Sequence, residues 1–401
     1  MLQGVCSPFF AALSDALVAE GHQAGHVCFN AGDWLYRMPR PARHYRGKAE
    51  GLAEWLPAVF DEQALTDLVV FGDQRPVHRP AIALARERGI RVHVFEEGYF
   101  RPFWVTLERG GVNAHTALPK DPDWYRRTAA RLPDRPAPTK FRSPFIKRAF
   151  HDVVYHMAGL ANPVAYPGYR NHAPVIAPVE YTGYIGRFAR LPFWRRHDAH
   201  RITELLESAQ PYYVLPLQLN GDAQIREHSR FENMLAVISW VVRSFSHHAP
   251  GDTTLVIKNH PLDMGLTHYR RFIARTAAEC GVAGRVMYLE SGDLNALLQG
   301  AAGTVTVNST VGAVSLEHGC PTLALADPIY NLPGMTWQGP LDAFWTEAER
   351  PDVELVRAFR KVVVHGTQIN GGFYCRDGIA LCVRNALPVL TADQSPLEQL
   401  F

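Results

Sequence analysis

Arg91-Val-His-Val-Phe-Glu-Glu-Gly-Tyr-Phe-Arg-Pro102 is the stretch from which the rest of this chain can be read. Gly89 closes the helix-like segment before it. The β-branched and aromatic residues through Phe95 then have the composition of a buried parallel strand. The run stops abruptly on two carboxylates, a glycine, an aromatic pair, an arginine and a proline. In open α/β sheets ligands bind just beyond the carboxyl ends of the strands, so Glu96 and Glu97 fall where chemistry is usually done. Adjacent glutamates are also what a solvated loop looks like. Gly98, which tolerates close approach or positive φ, and Arg101, a ready partner for an anion, favour a site over a plain loop. Strand alternation sends the two glutamate side chains in opposite directions.

Working outward, strand and helix patterns alternate. Gly25–Asn30 reads as a strand followed by a turn Ala31-Gly-Asp33, Lys48–Phe60 as a helix, and Leu68–Phe71 as a strand ending in Gly72-Asp73. Asp33 and Asp73 are each either an Asx-type turn former or a ligand. Phe103–Asn113 reads as a strand, a Gly-Gly turn and a return, and Ala117–Pro122 and the Pro/Arg-rich Arg131–Pro144 read as an irregular connection. A second series of β-loop-α units runs from Tyr212 to Leu325, which points to a parallel, doubly wound sheet. At 401 residues the chain suits two domains rather than one. Met1-Leu-Gln-Gly4 resembles the end of a clipped first strand. The six cysteines form no CxxC pair, a pattern of reduced buried thiols rather than of disulfides or a metal site, and no metal is expected. No stretch approaches the length of a transmembrane helix and no signal peptide opens the chain, so the protein is expected to be soluble or peripheral to a membrane.

Between the two series, Phe141–Arg201 holds nine basic residues against three acidic ones, while the whole chain has a net charge of only +2. Aromatic residues interleave with the charges. This composition suits an anionic membrane surface, a nucleic-acid strand or a solvated helical insertion; no nucleic-acid-binding signature accompanies it, and nucleic acid is not expected as a partner.

Two loops of the second half carry candidate chemistry. Asn308-Ser-Thr310 follows a buried strand and opens a helix, where unpaired N–H groups and the helix dipole bind phosphate, although Ser and Thr are also ordinary caps there. Gly312 in the same turn would let a ligand approach. Lys258-Asn-His-Pro261 ends another strand, with Lys258 and His260 on one face and Pro261 restricting the histidine backbone, which points to an anion site. No G-x-G-x-x-G, P-loop, H-E-x-x-H or G-x-S-x-G motif is present. A phosphate-binding second half and a carboxylate-bearing first half together suit transfer of a group, such as a sugar, from a phosphate leaving group.

Several longer motifs now stand in order: Phe29-Asn-Ala-Gly-Asp33, Phe71-Gly-Asp-Gln-Arg-Pro76, Phe95-Glu-Glu-Gly-Tyr-Phe-Arg-Pro102, Gly111-Val-Asn113, Gln224-Ile-Arg-Glu-His-Ser229, Val256-Ile-Lys-Asn-His-Pro261, Asn308-Ser-Thr310, Ile329-Tyr330 and Gly334-Met-Thr-Trp-Gln-Gly339. With these motifs the sequence resembles the capsule polysaccharide synthesis and export proteins of the KpsS/LipB type over nearly its whole length. The resemblance implies an α/β, GT-B-like fold: two Rossmann-like doubly wound domains facing a central cleft, with a basic-aromatic helical connector. The expected boundaries are 1–140 for the acceptor-side domain with Glu97, 141–205 for a connector able to dock on a membrane, 206–365 for the CMP-sugar domain and 366–401 for a helical tail.

The same resemblance implies a retaining, metal-independent glycosyltransferase. It would move Kdo, 3-deoxy-D-manno-oct-2-ulosonic acid, from CMP-β-Kdo to a phosphatidylglycerol lipid at the cytoplasmic face of the inner membrane, and a KpsC-like enzyme would extend the product. No cofactor is implied; CMP-β-Kdo is the donor substrate. Glu97 matches the acidic residue that would act on the anomeric carbon, as nucleophile or as stabiliser, since related Kdo transferases have Asp there. Glu96 is left to support the fold. His260 would contact the CMP phosphate, with Lys258, Asn308, Ser309 and Thr310 around it. Arg101 or Arg226 would pair with the Kdo carboxylate, and Gly98 and Asp73 complete the substrate-binding set. Two other readings fit the same features: a non-catalytic lipid-binding scaffold of the capsule machinery, and a GT-B transferase that uses another nucleotide sugar.

Overall fold

The computed structural model of the chain describes residues 1–134, 137–170, 177–208, 210–219 and 230–401. They divide into two units, Met1–Leu118 with Leu132–His172 and Lys361–Phe401, and Pro119–Arg131 with Ala173–Arg360.

The first unit opens with helix α1 (Phe9–Ala19), which buries Phe9, Phe10 and Leu13. Strand β1 (Val27–Cys28) leads directly into helix α2 (Ala31–Arg37). Asn30 caps α2, its side chain accepting from the Asp33 N–H at 2.9 Å. Ala31-Gly-Asp33 is therefore the first turn of a helix and not the free turn expected. Strand β2 (Arg43–His44) pairs parallel with β1 in a two-stranded sheet.

Helix α3 (Leu52–Glu62), strand β3 (Asp67–Phe71), helix α4 (Arg79–Glu87) and strand β4 (Arg91–Glu97) follow. Gly89, at φ +67°, turns the chain out of α4. β3 and β4 pair in parallel, but strand β5 (Trp104–Arg109) returns antiparallel to β4. The link from Gly98 to Phe103 is too short for the crossover that a parallel partner needs. No return strand follows Gly110; that glycine, at φ +88°, leads towards a 3-10 turn over Asn113–His115.

β4 is covered on both faces. Val92 and Val94 join a core with Leu56, Phe60 and Ile82, and Phe95 joins the opposite core with Phe9, Leu13 and Phe373. Alternation then carries Glu96 to the first face and Glu97 to the second.

Helix α5 (Pro122–Arg131), which lies between the two stretches expected to be irregular, belongs to the second unit, whereas α6 (Phe145–Ala158) and the short α7 (Asn162–Ala165) belong to the first. Helix α8 (Ala177–Glu207) opens the main part of the second unit. After it come β6 (Tyr212–Pro216), α9 (Met234–His248), β7 (Thr254–Lys258), α10 (Tyr269–Glu279), β8 (Val286–Leu289), α11 (Leu294–Gly300), β9 (Gly303–Thr306), α12 (Thr310–Glu317) and β10 (Thr322–Ala324). These five strands are all parallel, in the order β10-β9-β6-β7-β8. That is the doubly wound Rossmann order, and its switch point lies between β6 and β9. One face packs on α9 and α10, with Phe344 and Trp345 of α13 (Leu341–Glu347) added; the other packs on Ile202 and Leu205 of α8 and Leu297 and Leu298 of α11.

Helix α14 (Val353–Thr367) spans the boundary back into the first unit. Strand β11 (Gln368–Asn370) then adds antiparallel to β5, and α15 (Arg376–Thr391) packs on α1. The four consecutive blocks expected from the sequence are corrected accordingly. The stretch 141–205 is divided between the two units, and 366–401 is no separate tail, because its strand and its apolar helix face complete the first unit's sheet and core.

Candidate active site

Polar groups collect at the carboxyl end of the strands in each unit. In the first, the hydroxyl of Tyr374 donates to Glu97 Oε1 at 3.3 Å, and Arg148 Nη1 lies 3.3 Å from the same oxygen. The Arg148 guanidinium also lies over the Tyr374 ring, 4.8 Å from its centroid. Burial, then the Glu97 charge, raises the Tyr374 hydroxyl well above the ordinary tyrosine range, which keeps it a proton donor. Glu96 turns the other way. Its Oε1 accepts the Glu97 N–H at 2.9 Å, and its carboxyl is pushed up to about 7, first by burial and then by the Glu97 charge.

Arg148 reaches Glu97 because α6 is fastened to α2. Tyr155 donates to Asp33 Oδ1 at 2.8 Å, and its ring occupies the space that a Cβ on Gly32 would need. Tyr36 and His151 meet at 2.7 Å, and Asn162 Oδ1 accepts the Ala31 N–H at 2.8 Å. Asp33 accepts further bonds from the Phe29 N–H and from Gln3, so it holds this junction together.

In the second unit the site forms at the switch point and at the end of β7. Gln218, just past β6, clamps Asn308, just past β9: its Nε2 donates to Asn308 Oδ1 at 2.9 Å and its Oε1 accepts the Asn308 N–H at 3.2 Å. Ser309 caps α12 by accepting the Val311 N–H at 3.2 Å, and Thr310 is the first residue of that helix. Lys258 ends β7, and burial, then the Arg187 charge, lowers its ammonium below the usual lysine range. His260 Nδ1 accepts the Leu262 N–H at 3.1 Å, so in the neutral ring the proton is on Nε2.

Arg187 holds the His-Pro loop from beneath. Its guanidinium donates to the carbonyls of Pro261 at 2.8 Å, Asp263 at 2.7 Å and His260 at 3.1 Å. Asp198, also on α8, accepts the N–H groups of Glu290 at 2.8 Å and Ser291 at 3.0 Å.

Gly98, Gly312 and Asp73 are taken up by structural contacts. A Cβ on Gly98 would lie 1.9 Å from the Trp104 carbonyl oxygen, so the close approach this glycine permits is that of its own hairpin. A Cβ on Gly312 would fall 2.2 Å from the Tyr330 hydroxyl, and that side chain rather than a ligand fills the space. Asp73 is buried, accepting from Val112 N–H at 3.3 Å and from His115 Nδ1 at 3.1 Å. Arg101 is exposed, and its Nε donates to the Gly98 carbonyl at 3.3 Å. Arg226 and its motif Gln224–Ser229 lie outside the described residues. Sequence reasoning passed over Gln218 and Tyr374, which have no motif signal. It also assigned Arg148 and Arg187 to a basic surface, where their helical spacing gave no hint of an inward role. A cavity of about 740 Å³ lies at the other end of the first sheet, lined by Asp67, Arg91 and His93 at the starts of β3 and β4, away from Glu97.

One unit thus carries a carboxylate fixed at a strand end, and the other a polar frame at its Rossmann switch point. The chain belongs to the capsule polysaccharide biosynthesis protein family, whose profile matches residues 66–374. It is 35% identical over 377 residues to the capsule polysaccharide export protein KpsS of Escherichia coli, covering 93% of this chain and 96% of that protein. It is 34% identical over 382 residues to the capsule polysaccharide modification protein LipB of Neisseria meningitidis serogroup B, covering 93% and 91%. A solved structure, Thermosulfurimonas dismutans KpsC, beta Kdo 2,7 transferase, superposes with a TM-score of 0.41 at 13% identity, covering 87% of this chain and 91% of that one, too loosely for any functional statement.

Proposed function

We propose that this chain is a retaining β-Kdo glycosyltransferase that moves Kdo from CMP-β-Kdo to a phosphatidylglycerol-type lipid, starting the poly-Kdo linker of a capsular polysaccharide. The observation that carries the reading is the fixed carboxylate: Glu97 stands at a strand end with both Tyr374 and Arg148 on Oε1. Departure of CMP leaves an oxocarbenium-like centre, which a carboxylate either stabilises or captures as a glycosyl ester. With Oε1 so engaged, Oε2 is the oxygen that would meet the anomeric carbon. The charge growing on the phosphate would be met by the His260 Nε2–H and the start of α12. Arg101 is the candidate partner of the Kdo carboxylate. The sequence resemblance supports CMP-β-Kdo as donor, a lipid acceptor at the cytoplasmic face of the inner membrane and a KpsC-like enzyme as the next to act. Among the described residues no helix is long and apolar enough to cross a membrane, and the lipid acceptor would be met from the surface.

The test is CMP release by purified protein from CMP-Kdo with phosphatidylglycerol, beside thermal shifts with CMP, UDP and GDP. Acceptor-dependent CMP release and a shift with CMP alone are expected. Lipid binding without CMP release would replace the reading with a scaffold, and a shift with UDP or GDP instead of CMP would replace the donor.

A further inference from the structure

Helix α6 is amphipathic in the inverted sense. Arg148, His151 and Tyr155 point into the unit and make the polar contacts with Glu97, Tyr36 and Asp33. The opposite side is apolar and open. Ile146, Phe150, Val153 and Met157 recur at spacings of four and three and continue through Leu160 and Val164 past the helix end; Ile146 is 69% exposed, Phe150 60% and Leu160 72%. Apart from Phe145, the other exposed residue of α6 is Lys147. A helix on the surface of a globular protein normally turns this stripe towards the core. Contiguous apolar surface of this kind marks an interaction site.

The charges beside the stripe specify its partner. Lys140, Arg142 and Lys147 are exposed at its amino-terminal end, and the acid of α6, Asp152, is paired with His156 at 3.6 Å. Trp34 of α2, which α6 packs against, and Met38 just past its end are exposed, adding an aromatic side chain of the sort that settles at lipid headgroups. A long apolar stripe with cations at its end, and with the acid of its helix paired to a histidine, fits an anionic lipid surface, into which an interfacial helix sinks its apolar face while its cations meet the headgroups.

We propose that α6 is an interfacial helix that seats the first unit on anionic lipid through Ile146, Phe150, Val153, Met157 and Leu160, while its inner face holds Arg148 on Glu97. This rests on the proposed transferase activity only in taking a lipid surface as the place of work. It narrows the basic stretch 141–205 to one helix and reverses the emphasis, since apolar side chains rather than arginines make the seat. Arg148, Arg187 and Arg201 of that stretch instead bind Glu97, the His-Pro loop and the Tyr288 carbonyl.

The experiment is co-sedimentation of the full chain with vesicles of phosphatidylcholine alone and of phosphatidylcholine with phosphatidylglycerol. Binding to the anionic vesicles is expected. Phe150→Glu and Met157→Glu should each weaken it about tenfold or more, with unfolding temperatures unchanged because both side chains already face solvent. Lys147→Ala should weaken it less and make the remainder less sensitive to salt. Wild-type protein that stays in the supernatant, or glutamate variants that bind as wild type does, would overturn the proposal. So would self-association of the wild type that Phe150→Glu abolishes, since a second copy would then occupy the stripe. Vesicle binding without CMP release would overturn the transfer reading and leave this one standing; CMP release without vesicle binding would do the converse.

Discussion

Tyr374 donates its hydroxyl to Glu97 Oε1 although the two residues are 277 positions apart in the chain. A hydrogen bond to a charged group contributes about 1.5–3 kcal/mol, so Tyr374→Phe should slow transfer by roughly tenfold to a hundredfold. The ring remains in that variant, and Arg148 keeps its stacking surface. Glu97→Gln should abolish transfer while the protein stays folded. CMP release from CMP-Kdo measures both, and an unchanged rate in Tyr374→Phe would remove the tyrosine from the mechanism.

Glu96 sets a pH dependence on stability. Its folded carboxyl sits at about 7 against an ordinary value of 4.5. Between those values the folded state binds the proton that the unfolded chain has lost, so this group's contribution to stability is lost as pH rises through the window. Glu96→Gln removes the penalty. The variant should gain about 3 kcal/mol over wild type above the window, relative to any difference below it. Glu108, raised to about 7 by burial, is present in both proteins and cancels. Urea unfolding at about pH 4.5 and about pH 8 gives the comparison; a difference between variant and wild type that does not change with pH would refute it.

Arg187 joins three carbonyls of the loop that carries His260. A lysine cannot reproduce that fork, and removal takes the donor from the buried Asp263 carbonyl, while the His260 carbonyl keeps the Asp263 N–H. Arg187→Ala should cost about 3–5 kcal/mol in urea unfolding, and Arg187→Lys should be the milder change. Both should reduce the thermal shift given by CMP more than that given by vesicles, because the loop and not α6 is released.

Gly98 tests the hairpin between β4 and β5. With the built Cβ at 1.9 Å from a backbone oxygen, no side-chain movement relieves Gly98→Ala. The two strands must part, and a loss above about 4 kcal/mol is expected, among the largest for a single substitution. Gly186→Ala, in the interior of α8 where a Cβ meets nothing within 4 Å, is the control and should stabilise by up to about 1 kcal/mol. Far-UV circular dichroism melts distinguish the two.

The second unit was legible in the sequence because its strands are short apolar runs between helices of regular spacing, and each parallel strand needs its own crossover. The first unit was legible only to β4. The antiparallel return of β5 follows from the shortness of the Gly98–Phe103 link, but the edge strand Gln368–Asn370 is too short and too polar to announce itself beside two long helices. Glu97, Lys258, His260 and Ser309 could be read as site candidates because each ends a strand or opens a helix. Arg148, Arg187 and Gln218 could not, since their roles depend on which carbonyl or carboxylate the fold brings within reach. Gly312 was misread for the same reason: its space belongs to Tyr330, which no local pattern connects to it.

The late return of the chain to β5 has a consequence for biosynthesis. While the ribosome has yet to make residues 368–374, the outer edge of β5 has no partner strand and Glu97 has no tyrosine. An unpaired edge invites pairing with another nascent chain. The second unit, by contrast, has the five strands of its described sheet once residue 324 has emerged. The unit begun first is thus finished last, and a chain released early would carry the Rossmann sheet of the second unit but neither a closed first sheet nor the Tyr374 support of Glu97.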